Sequence, residues 1–73
     1  MNVGMLWLDT DRKRTLDEKV QRAAEYYQDK YGRLPDLCFV NNKSLCEAKN
    51  VGHVEVKTTR TVLPDHFWLG MAT

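Results

Sequence analysis

Apolar and polar positions fall into different rhythms along this chain, and each rhythm predicts an element. Residues 3–8, VGMLWL, are apolar on both alternating faces, with Val3, Met5 and Trp7 on one and Leu6 and Leu8 on the other. A strand that is apolar both ways belongs inside a sheet rather than at a half-wet edge. Residues 15–31 change to helical spacing, with Leu16, Val20, Ala23, Ala24, Tyr27 and Tyr31 along one stripe. Thr15 followed by Glu18 forms a capping box, Gly32 supplies a left-handed stop, and Pro35 prevents the helix from resuming. Residues 37–41, LCFVN, are a second apolar run without a polar face, closed by Asn41 and Asn42. Ser44 to Glu47 repeats the capping-box pattern and predicts a short helix or 3₁₀ turn over 44–49, before Gly52. Residues 53–62 alternate, with Val54, Val56, Thr58 and Val62 against Glu55, Lys57, Thr59 and Thr61. That is the pattern of a half-buried antiparallel strand. After a turn at 63–65, residues 66–71 put Phe67, Leu69 and Met71 on one face and His66, Trp68 and Gly70 on the other.

The predicted order is β-α-β-(short helix)-β-β, a small α/β or α+β domain of the βα(short α)βββ type. One long helix would pack on one face of a four-stranded mixed sheet. Residues 9–36 are long enough for a helical crossover, which makes the first two strands parallel. The last two strands would form a hairpin. One helix cannot cover both sides of such a sheet, although the strands offer large apolar groups to both. An exposed patch of that kind often marks an interaction surface. Trp7, Phe67, Trp68 and Leu69 are the interface candidates on these grounds.

The chain has 73 residues, which is one domain spanning 1–73 with no linker. A domain this short buries only about 60% of its unfolded surface. Small scaffolds therefore often add a disulfide, a metal or a second subunit. Charge does little to choose a partner. Eleven Lys plus Arg stand against ten Asp plus Glu, a net charge of +1, and no segment is strongly one-signed. A dedicated nucleic-acid binder is usually more basic, with a patch on one face. No run approaches the ~18 apolar residues that span a bilayer. The apolar run at 3–8 lacks a basic leader, so no signal peptide or membrane partner is expected and the predicted compartment is the cytoplasm. Cys38 and Cys46 are then expected to be reduced.

Candidate chemistry is sparse. Asp9-Thr10-Asp11 follows the apolar run LWL. In this it resembles the first motif of haloacid-dehalogenase-type phosphotransferases. The resemblance implies Asp9 as nucleophile, Asp11 as general acid/base and a Mg²⁺ ion. It covers about six residues, and no acidic pair follows in the second half of the chain. The simpler reading is a polar turn between strand and helix. Arg12, Lys13 and Arg14 precede the helix start and are the anion-binding candidates. Together with Lys57 and Arg60 they form the nucleic-acid or phosphate-ligand alternative. Cys38, Cys46, His53 and His66 match no zinc finger, knuckle or ribbon spacing, so no metal or other cofactor is expected. Ser44, Cys46, His53, Asp65 and His66 lack a nucleophile elbow, and no catalytic residue is assigned.

The segments LWLDTD, KYGRLPD at 30–36 and RTVLPDHFWLG at 60–70 resemble those of small uncharacterised bacterial proteins. The resemblance implies a fold unit and no reaction. The expected function is a non-catalytic interaction module. It would self-associate as a homodimer, or dock a protein partner, through an apolar sheet face.

Overall fold

The computed structural model describes residues 4–45 and 47–71. Its elements are β1 (Met5–Leu8), α1 (Leu16–Tyr31), β2 (Leu37–Asn41), β3 (Lys49–Val51), β4 (Val54–Thr59) and β5 (His66–Gly70). The strands make one mixed sheet in the order β1-β5-β2-β4-β3. The helix covers one face of it in a single compact α+β domain.

The helix forms where its stripe and caps place it. The Thr15 hydroxyl accepts from the Glu18 backbone N–H at 3.2 Å, and Glu18 returns the bond to the Thr15 N–H. At the other end Gly32 adopts φ 78° and donates its N–H to Gln28. That left-handed conformation is easy for glycine and costly for most residues. The buried face of α1 is Val20, Ala23, Ala24 and Tyr27. It packs on Cys38, Val40, Val56, Phe67 and Leu69 from the three central strands.

Strand order departs from the sequence reading in three places. β1 and β2 run the same way, because each is antiparallel to β5, but β5 lies between them. β4 and β5 are not a hairpin, because β2 sits between them and pairs in parallel with β4. The reason lies in the connection at residues 60–65. It passes over the end of β2, a step of two strand spacings or ~10 Å, too wide for a tight turn. The buried Asn41 fixes this path: its side-chain amide donates to the Val62 carbonyl at 2.8 Å, and its oxygen accepts from the Lys43 N–H. The third departure is the short helix predicted over 44–49. Residues 42–44 form a turn, and 49–51 are the strand β3, which pairs antiparallel with β4 across Gly52 and His53. Gly52 takes φ 59°, which suits the first position of a two-residue turn. Cys46 lies outside the described residues.

The alternation in β4 is as its sequence indicates, with Val54 and Val56 buried and Glu55 and Lys57 exposed. β2 occupies the centre of the sheet, as its lack of a polar face suggests. β1 does not. It reads as an interior strand yet stands at the sheet edge.

Candidate interaction surface

Strand parity decides which side chains face away from the helix. On β1 they are Leu6 and Leu8; on β2, Leu37, Phe39 and Asn41, the last held under the connection at 60–65; on β5, His66, Trp68 and Gly70; on β4, Glu55, Lys57 and Thr59. No element packs over them among the described residues. Leu6 is 64% exposed and Leu8 57%. Trp68 and Phe39 lie side by side with ring centroids 5.8 Å apart. The Trp68 indole lies flat on the sheet across Gly4 and Gly70, where a Cβ at either glycine would collide with the ring. The connection at 60–65 forms a wall at one end, bringing Val62 and Leu63 against Phe39 and Trp68. The result is an open groove of about 470 Å³.

Of the four interface candidates, Trp68 is on this surface. Phe67 and Leu69 are its neighbours in sequence, and alternation sends both to the helix side, where they are fully buried core residues. Trp7 also faces the helix side. Its ring stacks on Tyr26 at a centroid distance of 4.4 Å, and its indole N–H is buried without a partner among the described residues. Leu6, Phe39 and Leu63 belong to the surface and are not among those four candidates. The signal for Leu6 and Phe39 was available, since period two assigns them to the face of Trp68 once the strand pairing is known.

The basic candidates do not assemble into one bare patch. Arg14 pairs with Asp11 at 2.9 Å and lies 3.9 Å from Asp9. Lys57 lies 3.8 Å from Glu55. Arg12, Lys13 and Arg60 are exposed. The loops after β1 and β4 do gather at one end of the sheet, joined by the Asp9 N–H donating to the Asp65 carbonyl at 3.0 Å.

The Asp9-Thr10-Asp11 turn closes on itself. Asp9 is buried and its carboxylate accepts from the Asp11 N–H, while the Asp11 carboxylate accepts from the Lys13 N–H. Lys19 reaches back to the Asp9 carbonyl. These are the bonds of a loop held in shape by its own aspartates. No group of three metal-ligating side chains occurs among the described residues. His53 and His66 stand at opposite ends of the sheet, since one precedes β4 and the other opens the antiparallel β5.

Cys38 is completely buried beneath α1, and burial pushes its thiol pKa up to about 12 from 9.0. The unfolded thiol ionises first as pH rises, so the folded state loses ground. Its contribution is intact below about pH 9 and declines toward pH 12, by up to about 1.4 kcal/mol per pH unit. Chemical denaturation of wild type and Cys38→Ala at pH 8 and pH 10 is expected to show the larger loss in wild type. Equal losses would contradict the assignment.

Comparison with protein-family models, with curated proteins and with solved structures gives no match for this chain. Among the described residues, no helix is long and apolar enough to cross a membrane.

Proposed function

We propose that this domain is a non-catalytic interaction module that self-associates through the side of the sheet that α1 leaves bare. One observation carries the reading: Leu6, Leu8, Phe39, Trp68 and Leu63 present an apolar surface with no layer over it among the described residues. Patches of that kind on small domains mark contact with another protein. The charges beside it do not oppose a second copy as occupant. Glu55 and Lys57 sit next to each other on the same face and nearly cancel, so two identical faces do not repel. A buried, free Cys38 thiol suits a cytoplasmic setting.

Nucleic-acid or phosphate-ligand binding through Arg12, Lys13, Arg14, Lys57 and Arg60 has less support. Two of those five cations already face carboxylates of this chain.

Light scattering on a sizing column, over a wide concentration range, tests the proposal. Twice the chain mass is expected at the upper concentrations. A monomer at every concentration would overturn it, whether or not the face then captures a different protein.

A further inference from the structure

We infer that two copies join edge to edge, β1 against β1, antiparallel about a two-fold axis at Trp7. The inference rests on the self-association just proposed and narrows its contact to the β1 border of that side, where Leu6 and Leu8 lie, with Phe39, Trp68 and Leu63 left outside it. Four observations lead to it.

The first is the position of β1. Its sequence is apolar on both faces, yet it stands at the edge of the sheet. The opposite edge, β3, carries Lys49, which is tied to Asp17 of the helix. A charge of that kind is the usual protection against strand addition. β1 has no charge, no proline and no bulge, and its register with β5 runs unbroken over four residues.

The second is the direction of its backbone groups. The Asp9 N–H donates to Asp65, in the same register that sets Leu8 opposite His66. Hydrogen bonding in an antiparallel pair alternates residue by residue. Met5, Trp7 and Asp9 therefore bond to β5, and the N–H and C=O groups of Leu6 and Leu8 point out of the sheet. No described residue bonds to them. The residues with bare main chain are also the two most exposed side chains of the strand.

The third is self-complementarity. Leu6-Trp7-Leu8 reads the same in both directions. Two antiparallel copies centred on Trp7 set Leu6 opposite Leu8 twice, and each such pair exchanges both main-chain bonds. Residues directly opposite share a face. The leucines then meet on the open side, and Trp7 meets Trp7 on the helix side.

The fourth is the flank. Tyr26 is half-exposed beside Trp7, so the helix side of this edge is apolar too. The product is a continuous ten-stranded sheet with both helices on one face and the two Phe39–Trp68 grooves side by side on the other.

The test is Leu8→Pro. Proline deletes an outward N–H and no bond to β5, so the monomer retains its ladder. Leu8→Lys puts a charge on the same edge and serves if the proline variant does not fold, as judged by circular dichroism. Either folded variant is expected to weaken the dimer by roughly 100-fold in sedimentation equilibrium. Phe39→Ala discriminates between the two contacts: Phe39 lies on the bare side but two strands in from the Leu6–Leu8 border, so an edge dimer tolerates its loss and a face-to-face dimer does not. A wild-type dimer that survives both Leu8 variants but dissociates with Phe39→Ala overturns the edge contact in favour of a face-to-face one. A monomeric wild type overturns the self-association reading itself.

Discussion

Phe67→Ala is expected to leave the chain largely unfolded at 25 °C, not merely impaired in binding. Phe67 is 2% exposed and belongs to the cluster that joins β5 to α1. Truncating a buried phenylalanine costs about 3–5 kcal/mol, from lost transfer energy and the cavity left behind. A single core in a chain of this size supplies about the same amount in all. Among the described residues Cys38 is a free thiol and no cluster of metal-ligating side chains occurs, so neither kind of cross-link takes up the loss there. Far-UV circular dichroism and urea titration would show it. A cooperative transition within about 1 kcal/mol of wild type would mean that β5 is packed the other way round, with Phe67 on the open face. Trp68, its neighbour, distinguishes the two sides of the strand. Trp68→Phe is expected to keep the fold, because the ring lies on the open face over two glycines.

Asn41→Ala is expected to cost about 2–3 kcal/mol and to loosen one segment before the rest. The Asn41 side chain is the clamp that holds the connection at 60–65 over the end of β2. Its removal leaves the Val62 carbonyl and the Lys43 N–H without their partner. An orphaned buried polar group costs about 1–3 kcal/mol. Native-state hydrogen exchange should speed up first at residues 61–63, while amides of β2 and β5 stay protected. The groove should open with it, because Val62 and Leu63 form its wall. Uniform destabilisation across the sheet would show that Asn41 supports β2 itself and not the connection.

What was legible in the sequence was whatever is encoded locally. The helix depends on Thr15, Glu18, a 3.6-residue stripe and Gly32, all within one stretch of chain, and it forms as they indicate. The alternation of β4 is local in the same sense. Strand neighbours are not. The hairpin expectation for β4 and β5 rested on closeness in sequence, and a polar side chain elsewhere, Asn41, determines where the connection goes. β3 escaped notice because a three-residue strand with one buried residue, Val51, has no period to detect. The flanking Val51-Gly52-His53-Val54 was its one hint. For the surface, the sequence exposed an excess of apolar residues but not their side. Phe67, Trp68 and Leu69 are consecutive, so a sheet cannot turn all three the same way. β1 is the complementary case: a strand apolar on both faces reads as an interior one, whereas its outer edge is bare among the described residues.

The flat seat of Trp68 on Gly4 and Gly70 has a consequence for how this sequence can vary. Gly70 ends β5 and Gly4 stands just before the neighbouring β1, 66 positions away, and neither has a positive φ that would require glycine. Their smallness is imposed from outside, by one indole. Positions 4, 68 and 70 therefore form a single sterically coupled unit, small-large-small, in which the middle residue sets the licence of the other two. A lineage that loses the tryptophan is free to gain side chains at both glycines. One that keeps it cannot enlarge either without tipping the ring off the sheet.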